Sequence, residues 1–212
     1  DIVYNTTASG NIVLTGTTTA TADDVQMNSV DAINGAGLVT AAIVDLNAQN
    51  GIGNTTALEL AAALITADSS VDGNIDIDNT LAVATRVDTL STLLGGNILF
   101  EQSGGGAVTF GTVSTGASGL PVEGEADITL SSDGANVVIG TAVTAAALGD
   151  IVYNTTTAGN VFLTGTTTAA ADDVQMNSVD AINGAGLVTA AIVDLNAENG
   201  IGGGTALELA SA

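Results

Sequence analysis

The chain has 212 residues, of which 23 are acidic against one Arg (Arg86), no Lys and no His, giving a net charge of −22. Such a surface repels DNA, RNA and anionic lipid and attracts cations, so no nucleic-acid partner is expected. Only 11% of residues are charged and 46% are hydrophobic, which sets the chain apart from disordered acidic tails. With no Trp, three Phe and two Tyr, its core must be built from Val, Ile, Leu and Ala. The absence of Cys excludes disulfides and Cys-based zinc or redox sites. No run of 18 apolar residues exists, so no membrane insertion is expected.

In chain order, a short phrase recurs: Asp or Asn, then Ile or Val, then any residue, then a bulky apolar one. It occupies 1–4, 11–14, 74–77, 97–100, 127–130, 136–139, 150–153 and 160–163. Apolar residues at its second and fourth positions have period two, the mark of a strand with one face buried. The expected inward residues are Ile2, Tyr4, Ile12, Leu14, Ile75, Ile77, Ile98, Phe100, Ile128, Leu130, Val137 and Ile139. Gly-, Asn-, Asp- and Ser-rich gaps such as 103–106 and 131–134 read as turns. Two segments, 57–67 and 87–94, have the composition of helices.

The chain also contains itself. Residues 150–212 repeat 1–63 at an offset of 149, with 54 of 63 positions identical, and 23–48 returns unchanged as 172–197. Inward Ile12 becomes Val161, whereas its neighbour Val13 becomes Phe162, a change of volume suited to an outer face. Short strands at a roughly regular pitch with few aromatics predict an all-β fold, a parallel β-helix in which like aliphatics stack from coil to coil. Tandem β-sandwiches are the main rival, but they favour aromatic anchors and Pro-marked linkers, and this chain has a single Pro, Pro121. The expected organisation is one solenoid unit over 1–149 and the start of the next over 150–212, together a segment of a longer array.

Three stretches, Gly10–Gly16, Ala42–Gly53 and Gly73–Asn79, resemble repeats of filamentous-haemagglutinin-like proteins, giant exported bacterial surface proteins and adhesins. The resemblance implies a right-handed parallel β-helix at or beyond the cell surface. The high identity between copies at a 149-residue period suits a shaft better than a binding tip.

Chemistry is sparse. Without His or Cys there is no nucleophile–base pair, and only a two-carboxylate hydrolase would remain, drawn from Asp76 with Asp78, Asp23 with Asp24, or Glu123 with Glu125. These are expected to be solvated carboxylates, so no enzyme is expected. Asp72, Asn74, Asp76 and Asp78 place oxygen ligands at every second position, the reason calcium is the cation to consider, with Asp23–Asp24 and Asp172–Asp173 as a second candidate. The Thr runs at 15–19 and 164–168 raise an ice-binding face, which would need a Thr ladder in every coil. Asn5, Asn54 and Asn154 each begin an Asn-Thr-Thr triplet able to carry surface glycans. The function expected is a structural shaft of an extracellular or cell-surface filament whose partner is itself. A stalk that binds glycan or a host surface is the alternative.

Overall fold

The computed structural model describes residues 1–119, 122–146 and 148–211, so Pro121 lies outside it. Its strands are β1 (Ile2–Asn5), β2 (Ile12–Val13), β3 (Thr18–Ser29), β4 (Ile33–Asn34), β5 (Val39–Ala48) and β6 (Leu58–Ser69). They continue with β7 (Ile75–Asn79), β8 (Thr85–Thr92), β9 (Ile98–Gln102), β10 (Val108–Ser114), β11 (Ile128–Ser132) and β12 (Val137–Thr144). The last are β13 (Ile151–Thr155), β14 (Val161–Leu163), β15 (Thr166–Ser178), β16 (Ile182–Asn183), β17 (Leu187–Ala197) and β18 (Glu208–Ser211). Every pairing is parallel, and no helix occurs among the described residues, none therefore long and apolar enough to cross a membrane. The fold is a β-solenoid of about nine turns.

Two stacks of strands face each other across the bore. One inward column runs Ile2, Val25, Val44, Ile65, Val87, Phe110, Ile139, Leu163. Opposite it a nine-rung column runs Ile12, Ile33, Ile52, Ile75, Ile98, Ile128, Ile151, Val174, Val193. Apart from Ile2 and Val193 on the outermost coils, every member is buried. Phe100 and Phe110, one from each stack, meet edge to face across the bore with ring centroids 5.3 Å apart. The long strands β3, β5, β6, β15 and β17 turn a corner and serve both stacks, which is why β6 pairs with β7 at one end and with β8 at the other.

The recurring phrase now has a physical reason. Its leading Asn or Asp accepts, through its side-chain oxygen, the backbone N–H of the equivalent residue one coil on. This links Asn54 to Asn74, Asn74 to Asn97, Asn97 to Asp127, Asp127 to Asp150 and Asp150 to Asp173, at 2.9–3.2 Å and at spacings of 20 to 30 residues. Corner N–H groups that lack a ladder partner are thereby satisfied, as buried or bent backbone requires. At strand ends a buried hydroxyl closes the turn: Ser69 donates to Asp72 O, Thr92 to Gly96 O and Thr155 to Gly159 O. At Gly35 and its counterpart Gly184, φ is +118° and +121°. A Cβ there would come within 2.1 Å of Leu14 O or 1.8 Å of Leu163 O, so no other residue fits either turn.

Several sequence expectations need correction. The helix-like segments 57–67 and 87–94 fall largely in β6 and β8, where Leu58, Leu60, Ala62, Ile65, Val87 and Leu90 enter the bore. Coil stacking outweighs helix propensity, which is worth only tenths of a kcal/mol per residue. Ser131 and Ser132 belong to β11, and the turn begins at Asp133. Ile2 is only partly buried and Tyr4 is 37% exposed, whereas their counterparts Ile151 and Tyr153 are fully buried, because β1 has a coil on one side only. The other ten expected inward residues are buried. Val13 and Phe162 do face outward.

The two copies occupy opposite stacks. Ile2 lies in the first column, and six turns along that column lead to Ile139. Half a turn more reaches Ile151, the counterpart of Ile2, in the second column. Likewise Ile12 belongs to the second stack and Val161 to the first. One 149-residue repeat therefore makes six and a half turns and advances about 31 Å at ~4.8 Å per turn.

Candidate cation site and outer faces

From Asp127 onward the corner column carries carboxylates rather than amides, so Asp127, Asp150 and Asp173 stack directly over one another. The connection between β10 and β11 brings Glu123 to the same corner. Carboxylate oxygens of Glu123, Asp150 and Asp172 all lie within 4.8 Å of one another, the one such trio of acids among the described residues. Asp172 Oδ2 is shut off from solvent with no donor facing it. Burial, then the charges of Asp150 and Glu123, push the Asp172 carboxyl up to about 6, and its neutral form hydrogen-bonds Asp150. Asp127 is raised by burial and by Asp150, against a lowering by the Asp150 N–H it accepts. With no cationic side chain nearby, this corner is relieved by a proton or by a bound cation, and three clustered carboxylates suit a hard divalent ion.

The first copy carries the same two acids as Asp23 and Asp24, both exposed. The acids expected to bind calcium are placed differently. Asp72 is exposed and accepts its neighbour Gly73 N–H, and Asn74 is engaged in the corner column. Asp76 and Asp78 do share the outward face of β7 with Asn74, while Ile75 and Ile77 point in. There Asp78 lies between Glu59 and Glu101 of adjacent coils and accepts the Ser103 hydroxyl at 2.5 Å. Burial first, then mutual repulsion, raises the pKa of Glu59, Asp76 and Glu101. The structure thus groups Asp76 and Asp78 with Glu59 and Glu101 rather than with Asp72. Glu125 accepts the Ser118 hydroxyl at 2.5 Å. Sequence alone pairs Asp172 with Asp173 as a calcium candidate and Glu123 with Glu125, and nothing in it joins either pair to Asp150, 27 positions from Glu123.

The Thr runs do not make a flat outer face: Thr18 and Thr167 turn into the bore, where they hydrogen-bond Tyr4 and Tyr153 at 3.2 and 2.9 Å. The Asn of each glycan triplet is engaged in the coil-to-coil bonding. Asn54 serves the corner column, and Asn5 and Asn154 begin outer amide ladders: Asn28 donates to Asn5 and Asn47 to Asn28, and Asn177 donates to Asn154 and Asn196 to Asn177, at 2.7–3.1 Å. Arg86 is an exposed ion-pair partner of Asp88 on its own strand, a contact that adds little. No protein-family profile, curated protein or solved structure matches the chain.

Proposed function

We propose that the chain is a shaft segment of a giant repetitive extracellular protein that forms a fibre or cell-surface filament. The observation that carries this reading is the join between the two copies. Ile98, Ile128, Ile151 and Val174 pass through it in one column with no shift of register. Each added repeat then lengthens one rod without introducing a hinge, because every coil is held by backbone hydrogen bonds along the axis and by the aliphatic columns. The −22 charge keeps neighbouring shafts apart at low salt, and cations screen it. Electron microscopy of the native material tests the reading. Long uniform filaments that advance about 31 Å per repeat, and present the same view every two repeats or about 62 Å, are expected. Single stalks attached to glycan or cell surfaces would transfer the role to adhesion, and compact particles would end the proposal.

A further inference from the structure

The sequence holds two Asp–Gly pairs, Asp72–Gly73 and Asp133–Gly134, both at turns between strands. In such a pair the glycine nitrogen can attack the aspartyl side-chain carbon, because glycine has no side chain to bar the approach. The two pairs are alike in sequence and unlike in structure. Asp72 is exposed, and its Oδ1 accepts the Gly73 N–H at 2.6 Å. Nucleophile and electrophile are therefore already in contact, as a near-attack arrangement requires. The buried Ser69 hydroxyl donates at 2.6 Å to Asp72 O, the carbonyl of the same peptide group. A donor on that oxygen draws charge from the Gly73 nitrogen and makes its proton easier to lose. Asp133 instead accepts the hydroxyls of Thr156 and Thr157 from the next coil, which lower its pKa and keep its carboxylate ionised. Beside it the buried Ser132 hydroxyl has no partner and donates nothing to the Asp133–Gly134 peptide.

We infer that Asp72–Gly73 is a self-modification site, at which the folded chain closes a succinimide ring and reopens it as an isoaspartyl link. The Gly73 nitrogen bonds to Asp72 Cγ while the Cγ–OH bond breaks, and the nitrogen's proton leaves with that hydroxyl as water. A second water then opens the ring. Attack at Cγ restores aspartate, and attack at the former backbone carbonyl leaves the main chain running through Cβ beside a free α-carboxylate. Ser69 is a positioning residue, since it touches the peptide group and not the carboxyl. The product has one more carbon in the main chain, at a turn with no room for it. Gly73 has a φ of +93°, and an added Cβ there would already lie 2.7 Å from Asn50 C and O. The residue that follows, Asn74, joins Asn54 to Asn97 in the corner column, so conversion at Asp72 loosens the corner between β6 and β7.

The test is prolonged incubation of the purified, folded chain at about pH 5, where aspartyl carboxyls in general keep part of their protons and water can leave. Isoaspartate is read by methyl transfer from an isoaspartyl methyltransferase, and peptide mass spectrometry assigns the residue. Asp72 is expected to convert at least about tenfold faster than Asp133, a ratio that falls to about one when the chain is held unfolded in guanidinium. Asp72→Glu keeps the charge but would have to close a larger ring, and it should stop the reaction. Asp72→Asn loses ammonia in place of water, so it should react at neutral pH and outpace Asn50–Gly51 in the same molecule, where Asp31 holds the Asn50 amide at 2.9 Å. Ser69→Ala should slow conversion at Asp72 and leave Asp133 as it was. Ser69→Thr should restore the rate, because Thr92 and Thr155 close turns in other coils with the same kind of bond. Circular dichroism checks that each variant keeps the β fold. Equal rates at Asp72 and Asp133 in the folded chain, or a ratio unchanged by unfolding, would overturn the inference, and a Ser69→Ala chain converting as fast as the parent would overturn the part given to Ser69.

Discussion

Tyr4 and Tyr153 stand in the same local sequence, Ile-Val-Tyr-Asn-Thr-Thr, with the same hydroxyl partner, Thr18 or Thr167, and differ in what lies beneath them. Tyr153 is fully buried and Tyr4 is 37% exposed. A Tyr side chain buries ~200 Å² at most, so Tyr4 leaves roughly 75 Å² more in water, worth about 2 kcal/mol at 25–30 cal/mol per Å². Truncation of a fully buried aromatic costs about 3–5 kcal/mol once the cavity is included. Tyr153→Ala is therefore expected to lose about 4 kcal/mol. Tyr4→Ala should lose about 2 or less, since an outermost coil can fray without unfolding the rest. Guanidinium unfolding followed by far-ultraviolet circular dichroism gives the global loss, and hydrogen exchange of the Val3–Asn5 and Val152–Asn154 amides gives the local one. Equal losses at the two positions, or the larger loss at Tyr4, would refute the claim that the coil carrying Leu130 is what buries Tyr153.

Asp172 binds its proton more tightly folded than unfolded, so its stabilising share is complete below about pH 4 and is lost as the pH rises through about 6. Glu59, Asp76 and Glu101 act in the same direction, and Asp133, lowered by the hydroxyls of Thr157 and Thr156, acts against them. The melting temperature should accordingly rise as the pH falls from 7.5 to about 5, and Asp172→Asn should flatten that rise; a profile unchanged by the substitution would remove Asp172 from the account. At pH 7.5, calcium titration should raise the melting temperature of the parent chain and leave Asp172→Asn unmoved, whereas a parent chain indifferent to calcium would mean a corner neutralised by solvent alone. Ile128→Asp puts an unpaired carboxylate between Ile98 and Ile151 in the bore, at a cost of several kcal/mol, and melting no earlier than the parent would show the register to be wrong.

Much of the fold was legible because a strand with one buried face writes its period directly into the sequence. Ile75 with Ile77, Ile98 with Phe100 and Ile128 with Leu130 all point inward as the phrase implies. The leading Asn or Asp, legible as a pattern, acquired a cause only when its bond to the next coil was seen. The segments 57–67 and 87–94 misled because Ala and Leu favour helices in isolation, whereas here Leu60, Ala62 and Ala67 meet Val39, Ala41 and Leu46 one coil away, and Leu90 meets Ala67. The exposure of Tyr4 depends on what lies beneath β1, and no local pattern carries that. The acid corner escaped because Glu123 reaches Asp150 and Asp172 through an irregular connection, and irregular backbone leaves no periodic trace.

The half-turn between copies was also beyond the sequence, for a reason that bears on how the repeat works. Successive equivalents lie between 19 and 30 residues apart, so an offset of 149 cannot be divided into turns without knowing where the long coil falls. That the same residues serve in either stack means that the two sides of the bore impose nearly the same demands. An aliphatic residue must meet an aliphatic one, an amide must meet an amide, and glycine must stand where the backbone of the next coil passes over Leu14 or Leu163. A repeat built to those local rules is indifferent to the side on which it starts. Its length is then free to settle at a half-integral number of turns, and whatever the outer surface of one copy displays is displayed again on the opposite side about 31 Å along the axis. For a shaft this has a mechanical consequence. A bias toward bending in one repeat, such as the crowded acid corner repelling itself on one flank, is met by the reverse bias wherever the next repeat carries the same feature, and the rod stays straight.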